Sequence, residues 1–299
     1  NWFRDPAVLR RRQQLLAEHY GVHWEWLPQA ELRERIRSER YHDGLYERDA
    51  LYLHPLNYAI GLAAAAARQG VSIHENSGVR SLTREGLQWR VRTAQGELMV
   101  DQVVLACGGY LAGLQKSIDR AILPIATYVM VTEPLGDRLD DCLHTRAAIY
   151  DSRFAFDYYR PLPDSRLLWG GRISILNRSP QAVQRLLKKD LLRVFPQLKG
   201  TRIDYAWSGL MSYARHQMPQ IGGVDNGLWW AQAFGGHGLA PTCAAGELLA
   251  AAIDTGDDRW KQFADYGLGS THRPLGYLGA QASYWWQQGR DGLKTRLEG

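Results

Sequence analysis

The sequence predicts an α/β fold joined to a sheet-rich α+β part, and three observations predict it. Residues 103–106 form a continuous apolar run ending in Cys107-Gly108-Gly109, the pattern of a strand buried on both faces in a parallel sheet. Residues 228–234 form a second such run, followed by the turn Gly235-Gly236-His237-Gly238 and an alanine-rich helix reaching Asp254, which is half of a βαβ unit. Between the two, the chain is rich in short strands with one helix among them.

Taken in order, the first fifty residues are charged and aromatic, and Pro6 and Pro28 each precede a helical pattern, over 7–20 and 29–40. Pro55 suits the first turn of an apolar helix running to Ala67, and Gly70 sits where a left-handed residue closes it. A strand is expected over 71–74. Strands over 79–82, 87–93, 97–100 and 102–107 follow, separated by the turn signals Glu85-Gly86 and Gln95-Gly96. Further strands are expected over 122–132, 155–160, 166–171 and 202–211. The intervening helix opens at Ser179-Pro180, closes before Pro196, and has an apolar face of Leu186, Leu187, Leu191, Leu192 and Val194. From Trp260 a Gly/Pro-punctuated stretch leads to a helix over 283–297.

A chain of 299 residues with 45% hydrophobic content can bury a real core, as one large or two ordinary domains. The formal charge of +5 does not make it a nucleic-acid binder, because Arg10-Arg11-Arg12 and the arginines of 33–40 are interleaved with Glu31, Glu34 and Glu39 as on solvated helix faces. Cys107, Cys142 and Cys243 are odd in number and widely spaced, which fits neither a disulfide framework nor a structural zinc site and points to a reducing cytoplasm. No apolar run approaches the roughly 20 residues that span a bilayer. His42, His54 and His74 are too scattered for a zinc motif, and Ser208-Gly209 lacks the first glycine of a nucleophile elbow.

Gly235, Gly236 and Gly238 admit two readings: close approach of backbone to a ligand, or a tight turn packing strand against helix. The following helix points its free N–H groups and positive dipole end at the same spot, which favours an anion or an electron-rich ring. Gly108-Gly109 raises the same alternatives. Two glycine turns at the carboxyl ends of two strands together favour a cofactor, because α/β sheets bind ligands in that crevice. Tyr158, Tyr159, Trp207 and Tyr213 lie near strand ends, where aromatics either fill the core or wall an apolar pocket.

Several stretches, in this order, resemble the D-amino-acid oxidase-like family of flavin-dependent amine and amino-acid oxidases, its gamma-glutamylputrescine oxidases most of all: LHPLNYAIGLAAAAARQGVSIHENSGV, DQVVLACGGYLAGL, ILPIATYVMVTEPL, YYRPLPDSRLLWGGR, MPQIGG and AFGGHGLAPTCAAGELLAAAI. The resemblance implies a discontinuous, Rossmann-like FAD-binding domain over 51–111 and 220–256, a sheet-rich α+β substrate domain over 1–50 and 112–219, and a C-terminal helical tail over 257–299. It implies Val79 at the adenine, Ala106, Cys107, Gly108 and Tyr110 where the chain passes FAD, and Gly235, Gly236, His237, Gly238, Leu239 and Ala240 along the flavin pyrimidine edge. Tyr159, Arg160, Tyr213 and His237 are candidates for the substrate pocket.

The implied reaction is hydride removal from a carbon next to an amine nitrogen, giving an imine, with oxygen or another acceptor reoxidising the flavin. The substrate is then a small amine, with D-amino-acid, glycine or sarcosine oxidation as an alternative and a non-catalytic scaffold as a reading of another class. Three departures bear on this. The G-x-G-x-x-G segment that would hold the pyrophosphate occurs nowhere, so the FAD domain is expected to be N-terminally incomplete and the chain as given not to hold FAD alone. Ala240 stands where amino-acid-oxidising relatives place a lysine, which shifts weight toward an amine lacking an α-carboxylate, with Arg160 as a possible anion anchor. No cysteine precedes the MPQIGG stretch at the place where some relatives attach flavin, so FAD is expected to be non-covalent.

Overall fold

The computed structural model describes residues 1–298. In chain order the elements are α1 (Ala7–Tyr20), β1 (Glu25–Leu27), α2 (Gln29–Arg35), β2 (Gly44–Tyr46), α3 (Pro55–Arg68), β3 (Ser81–Glu85), β4 (Gln88–Arg92), β5 (Glu97–Val100), β6 (Val103–Leu105), α4 (Lys116–Asp119) and β7 (Leu123–Thr132). There follow β8 (Ile149–Tyr150), β9 (Asp157–Pro161), β10 (Leu167–Ser174), α5 (Pro180–Val194), β11 (Ile203–Tyr213), β12 (Gln220–Val224), β13 (Leu228–Gln232), α6 (Pro241–Thr255) and α7 (Leu275–Glu298). The chain divides into two compact units: unit 1 is Asn1–Tyr52, Ala126–Gly209 and Gly279–Gly299, and unit 2 is Leu53–Ile125 and Leu210–Leu278. Residues 112–125 and 257–278 thus fall in unit 2, and the expected tail over 257–299 is divided between the units.

Unit 2 is layered around the sheet β12-β13-β6. One face packs against the antiparallel β3-β4-β5 meander through Trp89, Leu105, Leu111, Ile118 and Leu228. The other packs through Ile221, with Ala245 and Leu249 of α6 and the rings of Trp260 and Phe263. The helix starts follow their local signals. His54 Nδ1 accepts the N–H of Asn57 at 3.3 Å with Pro55 in the first turn of α3, and Gly70 closes the helix at φ +87°. Gly256, at φ +73°, does the same for α6.

Two expectations fail in this unit. Residues 71–74 form no strand, because a strand exists only where a neighbour accepts its ladder, and no strand pairs with them among the described residues. β6 does run parallel to β13, but it lies at the sheet edge and Val104 is 45% exposed, so it is not buried on both faces. α3 is apolar along its length, yet none of its residues is buried.

Unit 1 holds most of the five-stranded sheet β11-β7-β10-β9-β8, with α5 beside β10. Ser179 Oγ accepts the N–H of Ala182 at 3.3 Å at the start of α5, and Val183, Leu187, Leu191 and Val194 supply the buried face. They lie with Trp169, Tyr159 and Phe195, whose rings meet at 4.5–6.2 Å. A bulge between Gly171 and Ile173 puts Arg172 at φ +60°, and its guanidinium forks onto buried Asp190 of α5 at 2.6 and 2.8 Å. α2 stops at Arg35, short of the expected Arg40, because Ile36 turns to extended backbone and bridges Leu143. α7 is longer than expected and carries Gly276, Gly279, Gly289 and Gly292 within it.

Candidate functional site

Strands β6 and β13 pair in parallel, Val103 with Leu228 and Leu105 with Trp230, so their carboxyl ends lie side by side and each feeds a glycine turn. The first turn has Gly108 at φ +54°. A β-carbon on buried Gly109 would stand 2.8 Å from Leu210 Cβ and 3.2 Å from two carbonyl oxygens of β11, so only glycine lets these backbones approach. Tyr110 Oη accepts the Leu210 N–H at 2.9 Å, while its ring stays 62% exposed.

The second turn is anchored on Ser212 of β11. Ala233 N–H donates to Ser212 Oγ and Gly235 N–H to Ser212 O, both at 3.0 Å. Ala233 is itself strained, a non-glycine residue at φ +64°. Gly235 and Gly236 take φ +56° and +82°, and β-carbons there would meet the Tyr213 ring at 3.2 Å and Met211 Sδ at 2.9 Å. The glycines therefore serve the turn's backbone and its packing. What faces outward is peptide: His237 N–H reaches Phe234 O and Thr242 N–H reaches Gly238 O, but the N–H groups of Gly236, Gly238 and Leu239 enter none of the turn's backbone bonds among the described residues. Gly236, His237, Leu239 and Ala240 are exposed. α6 begins at Pro241 and runs 15 residues, so its positive end adds to these free donors. His237 Nδ1 lies 3.2 Å from Gly235 O, a carbonyl that can only accept, which fixes the ring proton on Nδ1.

Met211 and Ser212 escaped the sequence, where Met211 read only as the end of a strand and Ser212 lay just past it; their part in the turn is visible only once β11 is placed beneath it. Tyr213, a candidate for the substrate pocket, lies with its ring against the turn at Gly235, its phenol pushed up by burial. Cys107 is exposed, and the partial desolvation of its thiol raises its pKa. Cys243, in the first turn of α6, has its Sγ 2.7 Å from Tyr58 Oη of α3. Ala106 is exposed beside Cys107, and Val79, 39% exposed, lies outside any strand just before β3.

The unit 1 candidates differ. Tyr159 is 1% exposed, stacked on Trp169 and hydrogen-bonded to Tyr41 Oη at 3.2 Å; it is a core ring, a correction to its expected place in the wall of a substrate pocket. Arg160 lies on β9 with its guanidinium 4.6 Å above the Tyr52 ring. No group of three or more His, Cys, Asp or Glu side chains able to hold a metal occurs among the described residues, nor a helix long and apolar enough to cross a membrane.

Residues 2–252 match the family described as DAO: FAD dependent oxidoreductase. The chain belongs to that family. Two relatives agree with the DAO assignment: gamma-glutamylputrescine oxidoreductase of Escherichia coli, 34% identical over 88% of this chain and 62% of its own length, and the probable oxidoreductase OrdL of Haemophilus influenzae, 34% identical over 78% and 54%. The chain thus spans just over half the length of these relatives. Glycine oxidase from Geobacillus kaustophilus has the same fold, at TM-score 0.73 and 20% identity over 87% of this chain and 70% of that one. Within this DAO chain the residues present fit one edge of FAD: exposed, unbonded peptide N–H groups at a helix start suit an electron-rich ring. They do not include a cradle for the pyrophosphate, since no G-x-G-x-x-G occurs.

Proposed function

We propose that the protein oxidises the C–N bond of a small amine with non-covalent FAD, and that unit 2 carries the cofactor side while unit 1 supplies the sheet-rich substrate side. The observation that carries this is the pair of glycine turns at the joined ends of β6 and β13, with unbonded N–H groups at the start of α6. When bound, FAD accepts a hydride from the carbon beside the amine nitrogen. The N–H groups of Gly236, Gly238 and Leu239 and the positive end of α6 stabilise negative charge gathering at the edge they face, and they cost no reorganisation because β11 already holds the turn. Ala106, Cys107, Gly108 and Tyr110 line the neighbouring turn, and the Val79 backbone would hold the adenine.

The 34% identity to a gamma-glutamylputrescine oxidoreductase favours an amine whose oxidised carbon carries no carboxylate, in keeping with Ala240 after the glycine turn. Oxygen or a quinone takes the electrons, and the protein works in the cytoplasm. Arg160, a cation on β9, is compatible with a second reading in which the carboxylate sits on the carbon being oxidised, as in glycine or sarcosine. Purification of the full-length protein tests the proposal: flavin absorbance, bleached without oxygen by gamma-glutamylputrescine faster than by glycine or sarcosine, is the expected result. A colourless protein that ignores added FAD would reject it.

A further inference from the structure

Unit 1 contains a cleft of about 600 Å³ that has no part in the proposed flavin chemistry. Its lining includes Arg33, Arg37, Arg40 and Arg193 with Glu39 and Gln197. Helix carboxyl ends attract cations, which accounts for Arg33 and Arg193 in the last turns of α2 and α5. It does not account for Arg37 and Arg40, which lie beyond α2 on a segment tied down at several points. Arg37 N–H donates to Cys142 O at 2.9 Å and Ser38 Oγ to Val194 O at 2.6 Å, while Gln197 Nε2 donates to Arg37 O at 2.9 Å. The basic wall is therefore built on fixed backbone.

The charges in this wall are not matched. Arg33 pairs with Glu39 at 2.5 Å. Arg193 reaches Asp190 only at 3.4 Å, and both oxygens of that carboxylate already hold Arg172. Among the described residues the Arg37 guanidinium has no ion pair, and that of Arg40 lies 3.9 Å above the Trp2 ring with its buried Nε lacking any hydrogen-bond partner. Burial, followed by the nearby charge of Arg153, lowers the pKa of Arg40, against the smaller opposing effects of Tyr41 and Asp151, and Arg193 adds a further, smaller lowering. Four guanidiniums against one carboxylate leave a net +3 in the cleft.

We propose that this cleft binds a small polyanion with at least two oxyanion groups, held by the forked guanidiniums of Arg37 and Arg193 with Arg40 behind them. Guanidinium forks match phosphate and carboxylate oxygens two at a time, and a singly charged ligand would leave most of the cleft's charge unmatched. The proposal stands apart from the flavin reading and needs no cofactor to be tested.

Thermal unfolding of the chain is followed with sodium pyrophosphate and, separately, with sodium citrate, each against sodium chloride at equal ionic strength. The expected result is a saturable rise in Tm with pyrophosphate, citrate or both; the stronger of the two identifies a phosphorylated or a polycarboxylate ligand. Arg37 and Arg193 are exposed, so Arg37→Gln with Arg193→Gln should fold and raise the half-saturating concentration roughly 10-fold or more through lost charge-assisted hydrogen bonds. Arg11→Gln with Arg12→Gln on α1 should leave it unchanged. The proposal is overturned if neither anion exceeds the chloride control, or if the two double variants respond alike.

Discussion

Gln220 and Gln232 face each other across the antiparallel β12–β13 pair, and the Gln232 amide nitrogen donates to Gln220 Oε1 at 2.9 Å. Both side chains are buried, and their other bonds reach carbonyls of passing chain: Gln232 Nε2 to Ile118 O at 3.0 Å and Gln220 Nε2 to Gly267 O at 3.2 Å. This small amide network fastens the segment after the first glycine turn to the sheet that carries the second.

Gln232→Leu keeps the volume but removes both donors, leaving Ile118 O and Gln220 Oε1 buried without them. The expected cost is about 2 kcal/mol of folding stability, read as a lower urea midpoint at unchanged slope. A wild-type midpoint would show that the network is not needed.

Gly236→Ala tests the second turn. Met211 is flexible and can move aside, so the cost comes mainly from φ +82°, which an L-residue tolerates poorly: about 1–3 kcal/mol. In the full-length protein the same change should weaken flavin retention on gel filtration. Gly246, inside α6 with nothing within 4 Å of its missing β-carbon, should behave oppositely, Gly246→Ala adding about 0.5–1 kcal/mol. Equal effects at the two glycines would contradict the backbone argument.

Tyr159 separates core from pocket. Tyr159→Phe loses one hydrogen bond to Tyr41 and should cost about 1 kcal/mol, while Tyr159→Ala empties a stacked ring site and should cost about 3–5 kcal/mol. KM for an amine substrate should not move in the Phe variant; a clear rise would return Tyr159 to the pocket.

Asp204 gives a pH dependence. Hydrogen bonds from Arg166, then Arg202, hold its carboxyl below the usual carboxylate range. A depressed folded-state pKa contributes stability present above the unfolded value and lost as pH falls through the folded one. The urea midpoint should therefore start to drop as pH falls below about 5 and go on dropping below about pH 4, through the lowered folded value, and Asp204→Asn should make that drop shallower. An unchanged slope in the variant would mean that the pairs are too well solvated to matter.

What the sequence disclosed about this molecule was its local chemistry. Pro55 and Gly70 bracket α3 and Ser179-Pro180 opens α5, because caps are decided within a few residues. Residues 71–74 have strand composition and no strand, and Val104 has core composition and an exposed side chain, because both outcomes depend on chain far away. The candidate site divides the same way. Its glycine turns were legible, while the seat beneath them, Met211 and Ser212 of β11, was not. Gly109 and Gly236 look alike in sequence yet have different reasons to be glycine, one steric contact with β11 and one a backbone angle.

Leu56, Ile60 and Leu62 of α3 stand in water, each more than half exposed, and Val104 stands exposed on the open edge of β6. Surfaces of this kind attract chaperones, proteases and other copies of the same chain. A face that joins an apolar helix to an unpaired strand edge is suited to packing against further chain rather than to lasting contact with water.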